Sequence, residues 1–189
     1  MSIWSQSVWG QINTPLGRVT AIVDGAGRLQ RLDFIEQAKH GLDPLILQRI
    51  PQDASALTEV AKQLTAYFHG ELQTFSLALA PEGSVYQRSA WSAMCTIPYG
   101  QTRGYAQLAA TLSSGSSARA MGRACALNPI VIVVPCHRVS GADGSMVGFS
   151  SGLARKVALL AHEQAVMRGE RMPPASWRLP TQLKLDLLA

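Results

Sequence analysis

Four apolar residues in a row, Val131-Ile132-Val133-Val134, run into Pro135 and deliver Cys136 and His137 side by side. The run has the length and type of a buried strand, and the proline fixes the backbone entering the cysteine. The chain therefore has to fold so that this segment is enclosed and held rigidly, with a thiol and an imidazole at its end. A thiol is a strong nucleophile as the thiolate, and a nearby base or positive charge lowers its pKa. The expectation is a reactive sulfur, ionised with the help of the adjoining imidazole.

Composition limits what can surround it. With 189 residues, 47% apolar and 15% charged, the chain is long enough for one large domain or two small ones built on a real core. No apolar run approaches the roughly 18–20 residues of a membrane span. Residues 1–11 lack the basic start and apolar centre of a signal peptide. Cys95, Cys125 and Cys136 cannot all pair and none has a CxxC spacing, so the expectation is a cytoplasmic protein with reduced thiols and no metal site. Charge is uneven. Residues 1–83 carry six Lys/Arg against eight Asp/Glu, for −2, and residues 84–163 carry seven against two, for +5. Such a division suggests that only the second half meets a polyanion, the alternative being a solvated basic surface.

Turn chemistry at Thr14-Pro15-Leu16-Gly17 and Asp24-Gly25-Ala26-Gly27 separates strand-like text at 10–13, 18–23 and 29–34, an antiparallel meander. Residues 35–52 read as irregular. Residues 57–68 have helical spacing, Gly70 stops that helix, and 75–79 reads as one more strand. Pro81-Glu82-Gly83 marks a boundary. Helices are expected over 85–93, 105–112, 118–127 and 153–166. Ser113 to Ser117 form the turn that caps the third of these, giving a helix-turn-helix. On the last helix Leu153, Val157 and Leu160 share a face, and 169–189 reads as a loosely packed tail. The domains are thus 1–82, an α/β scaffold, and 83–168, mainly α.

Seven segments of the second half occur together: Ile97-Pro98-Tyr99-Gly100, Tyr105-Ala106-Gln107-Leu108-Ala109, Ala118-Arg119-Ala120-Met121-Gly122, Asn128-Pro129, Pro135-Cys136-His137-Arg138-Val139, Gly152-Leu153 with Lys156, and Leu159-Leu160-Ala161-His162-Glu163. In this order they resemble the C-terminal domain of the O6-alkylguanine-DNA alkyltransferases (methylated-DNA–protein-cysteine methyltransferases) of the free-standing bacterial type. The first half matches more loosely, as the small ribonuclease H-like α/β domain of that family.

The resemblance implies a winged-helix second domain and a DNA repair activity without cofactor. The alkyl group on O6 of guanine, with O4-alkylthymine a further candidate, would pass irreversibly to Cys136 after the nucleotide is flipped out of duplex DNA. It also implies roles. His137 would be the base, acting through a water, since neighbours in an extended segment point to opposite sides. Glu163 would orient His137 and favour its imidazolium, and Asn128 would brace the pair. Tyr105 would help rotate the nucleotide and donate to the leaving base. Arg119 would be the finger that enters the duplex, on a helix that Ala118, Ala120 and Gly122 keep slim for the minor groove, although small residues equally suit tight helix packing. Arg123 lies at i+4 from Arg119 and is not part of the family pattern. Val139, Met146, Phe149 and Ser150 would form the substrate pocket. Two departures bear on it: Phe149 stands where Tyr is common, and Ser151-Gly152 where Gly-Gly is common. A protein monomeric when free is expected. Two rival readings use the same residues: a cysteine hydrolase, and a lesion-binding protein that transfers nothing.

Overall fold

The computed structural model describes residues 4–35, 44–112 and 116–170. The expected tail beyond 170, part of the irregular stretch 35–52 and Ser113 to Gly115 of the capping turn lie outside the described residues.

The first half opens with β1 (Val8–Thr14), β2 (Gly17–Val23) and β3 (Leu29–Phe34), an antiparallel sheet in the order β1-β2-β3. Thr14 pairs with Gly17 across a two-residue turn, and Asp24 Oδ1 accepts from the amides of Ala26 and Arg28 to close the second one. A short helix, α1 (Pro44–Leu47), occupies part of the stretch read as irregular. A 3-10 turn (Ser55–Leu57) leads into α2 (Thr58–Phe68), whose Val60, Leu64, Tyr67 and Phe68 are buried.

Residues 75–79 do not make a fourth strand. They contribute one bridge, Leu29 to Leu79, with Leu29 N–H donating to Ala78 O and Ala80 N–H to Leu29 O, both at 2.8 Å. Alternation of apolar residues here satisfies burial along the core without a ladder.

The second half is mainly helical. Ser84 and Gln87 form a reciprocal capping box for α3 (Val85–Cys95). β4 (Arg103–Gly104) pairs in parallel with β5 (Val139–Ser140), and these residue pairs are all the sheet in this half among the described residues. The helix starting at Tyr105 is shorter than its pattern, α4 (Tyr105–Ala109). α5 (Ala118–Ala126) packs on it, capped by Ser117 Oγ accepting from Ala120 N–H at 3.1 Å. α6 (Leu153–Met167) follows Gly152, whose φ of 95° only a glycine adopts easily.

Two expectations fail here, each for its own reason. The buried face of α6 is Arg155, Lys156, Leu159, Leu160, His162 and Glu163, whereas Leu153 and Val157 are only partly buried. The run 131–134 is no strand but a buried turn, with Val134 N–H bonded to Ile130 O at 2.9 Å and Ile132 at a φ of 72°. Pro129 and Pro135 flank it, and neither has an N–H for a ladder. Instead the turn hangs from β3: Leu32 N–H donates to Pro129 O at 2.8 Å and Val131 N–H to Leu32 O at 2.9 Å. One continuous core, including Val19, Leu32, Tyr67, Trp91, Met94, Ile130, Cys136 and Leu159, runs through both halves.

Candidate active site

The turn anchored on β3 continues into a 3-10 turn (Cys136–Arg138) before β5, which separates the Cys136 side chain from those of its two neighbours. Cys136 faces a pocket of about 220 Å³ lined also by Tyr105, Gly122, Cys125, Ala126, Gly148, Phe149 and Ser150. His137 and Arg138 turn toward α6.

The sulfur's partner is Asn128. Its Nδ2 donates to Cys136 Sγ at 3.0 Å and to Val134 O at 2.8 Å, while Oδ1 accepts from Ile130 N–H at 3.0 Å. The bond to Ile130 fixes which end of the amide faces the sulfur, and a donor there favours a developing thiolate. Burial nevertheless dominates: it pushes the thiol up to about 11, against the Asn128 bond and the Lys156 charge. Burial thus works against the ionisation expected from the sequence, and the Asn128 bond and the Lys156 charge work toward it.

His137 is completely buried, and its Nε2 lies 2.8 Å from Glu163 Oε1. A carboxylate only accepts, so Nε2 carries the proton and Nδ1 presents its lone pair. Nδ1 has no hydrogen-bond partner, and among the described residues no hydrogen bond joins His137 directly to Cys136. Burial lowers the imidazole below its ordinary value, while the Glu163 bond and charge act toward the imidazolium, the direction implied by the sequence.

Glu163 is the hub. Arg138 Nε and Nη2 grip it at 3.0 to 3.2 Å, Gly100 N–H donates to Oε2 at 2.9 Å, and Tyr67 Oη donates to Oε1 at 2.8 Å. Burial would raise its pKa, but the His137 bond and the Arg138 guanidinium win and hold it at about 2. Gly100 can present its N–H there because its φ is 72° and a Cβ would lie 2.8 Å from Met167 Cγ.

Two cations of α6 hold the pocket's far wall through carbonyls. Lys156 Nζ donates to Val139 O at 2.6 Å and Val147 O at 3.0 Å, and Arg155 Nη1 donates to Ser151 O at 3.0 Å. Tyr105 Oη donates to Val147 O at 3.1 Å, and burial first of all raises it to about 12, so it remains a donor. Of the pocket residues expected, Phe149 and Ser150 line the cavity. Val139 is fully buried in the core, and Met146 is not among the lining residues. Arg119, Arg123 and Ala118 are exposed on α5, Ala120 is half-buried, and Gly122 forms part of the pocket wall.

The sequence assigned no role to Arg138, Lys156, Tyr67 or Cys125. A cation beside the Cys-His pair was the available signal for Arg138. Nothing in the sequence ties Tyr67 to a carboxylate 96 residues further on.

Comparison with known proteins defines the class first. Residues 7–81 match the family described as "6-O-methylguanine DNA methyltransferase, ribonuclease-like domain", and residues 85–165 match "6-O-methylguanine DNA methyltransferase, DNA binding domain". The methylated-DNA–protein-cysteine methyltransferase of Methanosarcina barkeri is 41% identical over 161 residues, covering 83% of this chain and 97% of that one. Its counterpart from Mycobacterium leprae is 40% identical over 154 residues, covering 81% and 90%. Among solved structures, the Mycobacterium tuberculosis O6-methylguanine methyltransferase superposes with a TM-score of 0.77 at 35% identity, covering 96% of this chain and 99% of that one. The same organism's OGT in complex with DNA gives 0.74 at 37% identity, covering 84% and 94%. The chain belongs to the methylated-DNA–protein-cysteine methyltransferase family, with a ribonuclease-like α/β domain followed by a mainly helical DNA-binding domain.

Proposed function

We propose that this protein repairs O6-alkylguanine in double-stranded DNA by moving the alkyl group to Cys136, once per molecule. The observation that carries the assignment is the position of Cys136 Sγ. It sits in the wall of a 220 Å³ pocket with an amide donor on one side and the buried His137–Glu163 pair behind it. Extruding a nucleotide from duplex DNA costs a few kcal/mol and is the way chemistry reaches an atom inside the stack. Arg119, exposed on α5 beside the pocket, suits the place the extruded nucleotide vacates, with Ala118, Ala120 and Arg123 against the minor groove and its phosphates.

The thiol's proton passes to His137 Nδ1 through a water as the sulfur attacks the alkyl carbon. A carbon–sulfur bond forms, the carbon–O6 bond breaks, and the electron pair leaves on guanine, toward which Tyr105 donates. The guanine anion takes up a proton from water and His137 returns its proton to water, so the reaction balances without a cofactor. The product thioether has no good leaving group, which makes the protein a stoichiometric reagent. Burial raises the thiol, so its ionisation is coupled to the displacement step. Three free cysteines fit a reducing, cytoplasmic setting. Among the described residues no helix is long and apolar enough to cross a membrane.

The test uses duplex oligonucleotide carrying O6-methylguanine and mass analysis of the protease-released Cys136 peptide. The expected result is one added methyl on that peptide and unmodified guanine in the strand. A Cys136→Ala variant should bind the duplex with unchanged affinity and leave the lesion intact. Lesion loss in that variant, or an unmodified Cys136 peptide in the parent, overturns the assignment.

A further inference from the structure

The relay carboxylate is bonded across the whole chain, from a residue of the first half. Tyr67 lies in the last turn of α2, and its hydroxyl donates to Glu163 Oε1, the oxygen that also bonds His137 Nε2, both at 2.8 Å. Tyr67, His137 and Glu163 are each completely buried, so this contact is unscreened by solvent. The ring cannot swing away. Phe68, Phe75, Tyr99 and His162 stand 5.2, 5.3, 5.9 and 5.4 Å from it, centroid to centroid, and His162 Nε2 lies 2.8 Å from the Tyr67 carbonyl oxygen. Burial, reinforced by the neighbouring carboxylate, holds the phenol well above its ordinary pKa, so it is always the donor.

We propose that Tyr67 is a positioning residue of the transfer reaction, through which the ribonuclease-like half sets the basicity of His137. The inference rests on Cys136, His137 and Glu163 acting as the proton relay. A donor on the carboxylate draws charge from the oxygen that stabilises the imidazolium. Taking that donor away leaves more charge facing Nε2, so His137 holds a proton to higher pH. The other groups around this centre are the Arg138 guanidinium, the Gly100 amide, Lys156 on α6, and the Tyr99 and His162 side chains. All stay in place when one oxygen atom is removed.

The experiment is the pH dependence of single-turnover methyl transfer from O6-methylguanine duplex, for the parent, Tyr67→Phe, Phe75→Leu and Glu163→Gln. In Tyr67→Phe the acid limb moves to higher pH, and transfer at the parent's half-maximal pH falls roughly tenfold, the worth of one hydrogen bond to a charged group. Duplex affinity stays at the parent value. Phe75→Leu loosens the same aromatic cluster without touching Glu163, so it lowers thermal stability and leaves the limb where it was. An unmoved limb and unchanged rate in Tyr67→Phe, or an equal movement in Phe75→Leu, overturns the inference and makes Tyr67 a packing residue. If Glu163→Gln keeps the parent's rate and profile, the relay itself is wrong. If Glu163→Gln is slow while Tyr67→Phe matches the parent, only the role of Tyr67 falls.

Discussion

A single amide organises the immediate surroundings of the sulfur. Asn128 uses three bonds at once, to Cys136 Sγ, Val134 O and Ile130 N–H. Asn128→Ala strands these groups in a buried site, so urea denaturation should show a loss of about 1–3 kcal/mol. Because the lost donor favours the thiolate, the Cys136 thiol should also titrate at higher pH than in the parent and transfer should slow. The sequence made Asn128, Cys136, His137 and Glu163 legible, because each stands in a motif and each requires a partner if buried. It did not show the ionisation balance. Whether a thiol beside an imidazole is a thiolate depends on how completely it is enclosed, and enclosure comes from residues distant in sequence. Arg138 was equally hidden: a basic residue in a motif reads as surface until its carboxylate partner is seen.

At the scale of elements, periodicity read the first sheet and the longer helices well, missed α1, overran α4 and misread two apolar segments as strands. Strands β1 to β3 and helices α2, α3, α5 and α6 lie where alternation, capping residues and helical spacing put them, within a few residues at the ends. The run 131–134 and the stretch 75–79 failed because an apolar sequence signals burial, and burial does not require a ladder. The face of α6 failed because it buries charges that are matched, Arg155 and Lys156 by carbonyls and Glu163 by His137 and Arg138. α5 gives a test of what its small residues do. A Cβ on Gly122 would meet the Tyr105 ring at 3.8 Å, ordinary contact, and its φ is not positive. Gly122→Ala should therefore raise helix stability by up to about 1 kcal/mol, read as a higher melting temperature. Gly122 also lines the pocket, so transfer from O6-benzylguanine should slow more than transfer from O6-methylguanine.

For the molecule as a whole, the buried titrating groups set a pH window for stability. Glu163 is held at about 2 against an ordinary 4.5, so its contribution is complete above 4.5 and is lost as pH falls from 4.5 toward 2. His137 lies below its ordinary 6.5, so the unfolded chain takes up its proton first and stability begins to fall as pH drops through 6.5. Cys136 is raised from 9.0 to about 11, so its contribution is complete below 9.0 and is lost as pH climbs to about 11. Denaturation midpoints across pH should form a plateau between 6.5 and 9.0. Glu163→Gln should lower that plateau and flatten the slope between 4.5 and 2.

The two halves are joined at Arg155, whose Nε donates to Leu16 O at 2.9 Å and whose guanidinium lies 4.4 Å from the Phe34 ring centroid, as well as at Tyr67. Glu163 collects donors from positions 67, 100, 137 and 138 on α6, the last helix among the described residues. A chain in which α6 has not docked therefore keeps its cysteine and imidazole side by side but leaves His137 without the carboxylate that orients its ring.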